Sequence, residues 1–318
     1  MESYALRNRL RFVGTGSDLF GIYLLNMLLS MVTLGLYYPW AKAAVLRYTY
    51  ANTQLDNSPF QFHGTGKEIF VGFLKAVAVI VVVYTAAIAL TFASSLGLKV
   101  LGFVIIYAFV LALVPIAVHG ALRYRMSRSS WRGIHFGYRG DRNELIKMYV
   151  LQGLLTVVTF GIYSFWMTQN INRYTIGHIR FGSARMHYTG DGADYFWLCL
   201  KGYFLTILTL GIYGFWWGRD LFAYFVDNLA IENEGKTYQF QSSLTVGSYA
   251  GLVIGNILLI VLTLGLGAAW ATARTLQIIL DNTLLDERLD TGSLVQTELE
   301  YRDATGEDLA DMMDIGLI

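Results

Sequence analysis

Cysteine is nearly absent. Cys199 is the single one in 318 residues, so no intrachain disulfide forms and no cysteine-based metal site exists. Only three prolines occur, which excludes Pro-rich and collagen-like chains. Charge is scarce too. Lys, Arg, Asp and Glu make up 15% of the residues, against about 25% in ordinary globular domains. The hydrophobic fraction is 55% and the mean hydropathy +0.45, which excludes intrinsic disorder and a typical water-soluble enzyme. The five histidines show neither His-x-x-x-His nor His-Glu-x-x-His spacing, and no Gly-x-Ser-x-Gly appears. Neither a metal site, nor a cofactor, nor a Ser or Cys nucleophile is signalled, so a non-catalytic protein is expected.

What is present is apolar and uninterrupted. Residues 19–41, 76–98, 100–122, 148–172 and 237–273 carry no charge, and 195–218 carries only Lys201. A bilayer-spanning helix needs about 20 such residues, so these runs predict a multi-pass membrane protein. Arg7, Arg9, Arg11, Lys67, Arg123, Arg125, Arg128, Arg132, Arg139 and Arg142 fall on one side of the runs. By the positive-inside rule that side is cytoplasmic, with both termini there.

The chain also resembles itself. Thr33-Leu-Gly-Leu-Tyr-Tyr-Pro-Trp40 returns as Thr159-Phe-Gly-Ile-Tyr-Ser-Phe-Trp166 and Thr209-Leu-Gly-Ile-Tyr-Gly-Phe-Trp216. A fourth version, Thr263-Leu-Gly-Leu-Gly-Ala-Ala-Trp270, replaces the aromatic turn by Gly267, Ala268 and Ala269. Trp40, Trp166, Trp216 and Trp270 therefore read as an interfacial aromatic turn. An aromatic-rich Gly-x-Gly element precedes the runs, as at Phe12-Val-Gly14-Thr-Gly16 and Phe62-His-Gly64-Thr-Gly66. These two signals divide residues 1–285 into units of approximately 10–58, 59–132, 133–184, 185–236 and 237–285. The expected fold is a mainly α-helical membrane protein of about five tandem strand–helix–helix repeats, its transmembrane hairpins standing on a small cytoplasmic β-sheet.

The Gly-x-Gly strand ends, the Thr-Leu-Gly-Ile-Tyr-x-x-Trp turn and Arg47-Tyr48 resemble the YjgN-like family of bacterial inner-membrane proteins, a domain of unknown function. The likeness covers about residues 10–285, and unit five departs from it most. It implies a multi-pass inner-membrane location and supplies no catalytic residue. It also implies a membrane-associated zinc metalloprotease as a candidate partner.

Three arginines stand in the apolar units: Arg47, Arg173 and Arg274. Charges in membrane segments are costly and are functional candidates by default, so they are read either as binders of an anionic amphiphile or as snorkelling anchors. Gly14, Gly16, Gly64 and Gly66 precede helix starts. They are read either as ordinary capped turns or as backbone cradles for a phosphate head group. Gly251 and Gly255 form a small-xxx-small pattern that suggests close packing within the chain or between chains, so an oligomer is also open. Residues 286–318 hold ten acidic and two basic residues, whereas the body holds 22 basic and 13 acidic. This acidic tail reads as a solvated extension or as a handle for a protein partner, with residues 304–318 as its distal helix, and it argues against nucleic acid. The leading expectation is a protein that binds or translocates an anionic, lipid-like amphiphile. The alternative is an accessory or scaffold subunit of a membrane complex.

Overall fold

The computed structural model describes residues 5–297. Two short strands, Leu6–Asn8 (β1) and Leu10–Phe12 (β2), open the chain. Helix pairs and strand pairs then alternate: Gly16–Val32 (α1), Tyr38–Ala51 (α2), Thr53–Leu55 (β3) and Ser58–Phe62 (β4). Gly66–Thr91 (α3), Leu96–Ser127 (α4), Ser129–Trp131 (β5) and Ile134–Tyr138 (β6) follow. Next come Arg142–Val158 (α5), Ser164–Gly177 (α6), Ile179–Phe181 (β7) and Ala184–Tyr188 (β8). Gly192–Leu208 (α7), Gly214–Asp227 (α8), Leu229–Asn233 (β9) and Lys236–Ser242 (β10) precede a last pair, Val246–Leu262 (α9) and Ala268–Asp281 (α10), and Thr283–Asp286 (β11).

All strand pairings are antiparallel, and the sheet order is β1-β11-β10-β9-β8-β7-β6-β5-β4-β3-β2. Its two ends, β1 and β2, are separated only by Arg9. One stretch of chain therefore offers one edge to β11 and the other to β3, and the sheet closes into a near-barrel. Alternate residues point inward. Leu55, Trp131, Phe181, Ala184, Ile231, Tyr238 and Leu285 form the buried interior, joined by Leu10, Phe60, Phe136 and Phe240. Trp131 is fully buried, and its indole N–H donates to the carbonyls of Leu55 and Ser58 at 3.2 and 3.0 Å.

This corrects the expected fold class on two counts. The sheet is not a small appendage but an eleven-strand near-barrel fed by every segment of the chain. Among the described residues only α3 and α4 are long and apolar enough to cross a membrane. The cause lies at the turns. The uncharged run 19–41 is α1, a turn and the start of α2. In the turn Leu34 and Gly35 take φ of +50° and +87°, and Phe160–Gly161, Leu210–Gly211 and Leu264–Gly265 repeat this. Left-handed backbone ends a helix, and the glycine supplies it without steric cost. The Thr33 hydroxyl donates to the Leu29 carbonyl at 2.7 Å and accepts from the Tyr37 N–H at 3.0 Å, fixing the reversal. Long apolar runs are thereby cut into helices of 17 and 14 residues, about 25 and 21 Å long. A hydrocarbon core is about 30 Å thick.

The helix pairs form a ring. Each hairpin packs on the next through α2–α3, α4–α5, α6–α7 and α8–α9, and α10 packs on α1. The chain's last hairpin thus closes on its first, above the closure of the barrel.

Candidate functional site

At the bases of the first four hairpins a tyrosine seals the helix start. The Tyr48 hydroxyl accepts from the Thr15 N–H at 2.8 Å and donates to its carbonyl at 3.1 Å. Tyr174 does the same at Asp141, and Tyr224 at Asp191. Tyr124 donates toward the Thr65 carbonyl and Glu68. The first turns are acidic, with Asp18 and Glu68, and the Thr15 and Thr65 side chains cap them. Gly14 and Gly64 lie against the Phe12 and Phe62 rings and the Tyr48 and Tyr124 hydroxyls. A Cβ on Gly16 or Gly66 would strike Trp270 or Trp40. The four glycines therefore make room for aromatic rings beside capped helix starts.

The tryptophans act between hairpins. Trp40 lies on Gly66 with its ring 5.1 Å from Phe70, Trp166 on Gly192 with Phe196 at 5.6 Å, and Trp270 on Gly16 with Phe20 at 4.9 Å. Trp216 stacks on Tyr213 at 6.1 Å and remains exposed.

The three arginines sit on three different hairpins and are not brought together. The Arg274 guanidinium lies over Gly255 and donates to the Gly251 carbonyl at 3.1 Å, so the small-xxx-small pattern houses it. Arg173 donates to the Gly190 carbonyl at 2.8 Å. Arg47 is exposed at the matching place on α2. Polar clamps not foreseen from the sequence tie the hairpins halfway up. Asn26 donates to the Ala41 carbonyl, Asn256 to Thr275, and Asn170 to Gln152. Their signal was one amide at a matching position in three of the five first helices, Asn26, Gln152 and Asn256, obscured because isolated amides carry no motif.

Two further features frame the site. The hairpin tips are bare hydrocarbon: Leu34, Phe160, Leu210 and Leu264 are 94, 97, 94 and 93% exposed. At the opposite end, residues 287–297 run as a strap over the barrel mouth. Leu289 and Leu294 enter the barrel interior. The Ser183 N–H donates to the Val295 carbonyl at 2.8 Å, and the Thr297 hydroxyl donates to that of Gly182 at 2.6 Å. Residues 294–297 bind as irregular chain, and the distal tail 304–318 lies outside the described residues. Arg9 clasps strap and barrel. It donates to both oxygens of Asp56 and to the Leu289 carbonyl at 2.7 Å. The Arg9 hydrogen bond holds the Asp56 carboxyl below the usual aspartate range. Among the described residues no three His, Cys, Asp or Glu side chains cluster as metal ligands. His187 pairs with Glu232 at 2.5 Å, and His63 with the Ser130 hydroxyl at 2.8 Å.

The family described as "Bacterial protein of unknown function (DUF898)" matches residues 7–189, 183–239 and 234–312, nearly the whole chain. The chain belongs to this family. The resemblance drawn from the strand-end glycines and the Thr-Leu-Gly turn therefore holds. DUF898 relatives include the inner membrane protein YjgN of Salmonella typhimurium strain LT2, 28% identical over 163 residues, 48% of this chain and 39% of that protein. The inner membrane protein YjgN of Escherichia coli strain K12 is 33% identical over 127 residues, 40% of this chain and 30% of that protein. The chain thus spans well under half the length of these curated relatives. No solved structure matches it. With inner-membrane relatives and two helices able to cross, this DUF898 chain is a membrane protein.

Proposed function

We propose that this protein is a multi-pass protein of the bacterial inner membrane that binds or moves anionic amphiphiles and performs no chemistry on them. The observation that carries the reading is the pairing of bare apolar hairpin tips with cationic hairpin bases. The four exposed tips, Leu34, Phe160, Leu210 and Leu264, would be strongly disfavoured in water, at about 25 cal/mol per Å² of apolar surface. They are embedded in the bilayer beside α3 and α4, which cross it. The barrel, with Arg7, Arg11, Arg132 and Arg185, then stands on the cytoplasmic side with both termini. Arg47 and Arg173 mark the hairpin bases at the depth of lipid head groups, where cations attract anionic lipid by about 1 kcal/mol each.

The test is native mass spectrometry of the protein extracted in mild detergent, with phosphatidylglycerol as the probe. Retained phosphatidylglycerol that is lost in the Arg47→Ala, Arg173→Ala double variant supports the proposal. Equal retention, or equal stabilisation by phosphatidylglycerol, in parent and variant refutes it.

A further inference from the structure

The ring of hairpins is uneven at one place. In the third and fourth hairpins the turn leading to the tryptophan carries Tyr163 and Phe165, or Tyr213 and Phe215. Phe165 covers the next hairpin's α7, its ring 6.1 Å from Tyr195 and 5.4 Å from Phe196. In the fifth hairpin these positions are Gly267 and Ala269, flanking Ala268. Where α10 meets α1, therefore, Trp270 packs on Phe20 without the second ring that Phe165 adds at the α6–α7 contact. A cavity of about 500 Å³ opens there between α1, α2 and the α9–α10 turn, within the range of small-molecule sites. Its wall is apolar, with Phe20, Leu24, Met27, Val45 and Leu46, and one charge lines it, Lys42. Lys42 is exposed, and among the described residues no carboxylate pairs with it.

We infer that this gap is the binding site for one long-chain fatty acid, its chain along Phe20, Leu24, Met27 and Leu46 and its carboxylate on Lys42. The inference rests on the amphiphile reading above and names its ligand and place. Three features select the occupant. The cavity, of about 500 Å³, is large enough for one long acyl chain. The single unpaired ammonium matches a single carboxylate. The site lies on the N-terminal half of α2, toward the bare tips, so it opens where the hairpin is embedded. An unpaired charge is costly at that depth, and a bound carboxylate neutralises it. The barrel below is filled by its own side chains and crossed by the strap, so the acid enters sideways from the bilayer.

The experiment measures equilibrium binding of radiolabelled palmitate to the full-length protein in detergent, with hexadecanol as the uncharged control. Lys42→Gln keeps the shape and removes the charge. Ala268→Phe and Leu46→Trp fill the cavity from opposite walls, and circular dichroism with size exclusion confirms that each variant is folded. The expected result is one palmitate per chain, weakened at least tenfold by Lys42→Gln and abolished by whichever filling variant folds. Hexadecanol binding should be insensitive to Lys42→Gln. Palmitate binding unchanged in Lys42→Gln and in a folded filling variant overturns this site and leaves the head-group reading standing. A parent protein that binds neither palmitate nor phosphatidylglycerol overturns both.

Discussion

Arg9 is the residue on which the closure of the barrel turns, and Arg9→Ala probes it. The guanidinium holds both oxygens of Asp56, the Leu289 carbonyl at 2.7 Å and the Asp286 carbonyl at 3.3 Å. It therefore joins β1 and β2, the β3–β4 turn, β11 and the strap. Breaking a fully buried pair costs about 3–5 kcal/mol. Here the side chains are 12 and 25% exposed, and screening reduces the loss to about 2–3 kcal/mol. Two carbonyls that lose a donor add about 1 kcal/mol. The total, about 3–4 kcal/mol, corresponds to a fall in melting temperature of roughly 6–10 °C, read by intrinsic fluorescence in detergent at a fixed scan rate. The pH dependence follows from the depressed Asp56 carboxyl. A group held below its unfolded value, about 3.9, contributes fully above that value and loses its contribution as pH falls through the lower folded one. Parent and Arg9→Ala should therefore differ by the full amount above about pH 4, and in stronger acid the gap should narrow to the carbonyl contribution of about 1 kcal/mol. A variant that melts within a degree of the parent at pH 7 refutes the clasp.

Gly192→Ala would drive a methyl group into the Trp166 ring and its Cα. It should cost about 1–3 kcal/mol, whereas Gly214→Ala, which meets nothing closer than 3.7 Å, should leave the melting temperature unchanged. Leu294→Ala empties part of the barrel mouth and should cost about 2–4 kcal/mol, with faster proteolysis of the 287–297 strap as the readout. A nitroxide on Leu210→Cys in a Cys199→Ala background should be accessible to oxygen and shielded from aqueous nickel chelate in lipid vesicles. The reverse accessibility would place the hairpin tips in water.

Part of this was legible in the chain. The Thr-Leu-Gly signature marks a helix reversal because it pairs a hydroxyl that caps with a glycine that tolerates φ near +90°, and both are local properties. The aromatic-x-Gly-x-Gly element marks a strand running into a helix for the same reason. The barrel was not legible. β3, β5 and β7 are three residues long, too short to show a period of two, and each follows a helix directly, so they read as helix ends. Closure depends on pairing Leu6 with Asp286 across the whole chain, and no local pattern encodes that. The packing beside Gly16 was not legible, since the ring filling that space belongs to Trp270. Depth in an apolar unit marks Arg47, Arg173 and Arg274 in the sequence, whereas Lys42 lies beside a cavity that exists only where residues 267–269 meet α1.

The first and last segments of the described chain meet and close one ring. Asn8 and Leu284 face each other across β1 and β11, and directly opposed residues in an antiparallel pair lie within disulfide reach. In a Cys199→Ala background, Asn8→Cys with Leu284→Cys should form an intramolecular disulfide rapidly in native membranes, seen as a faster-migrating monomer that reverts on reduction. A reduced pair, or cross-links only between chains, would contradict the closed ring.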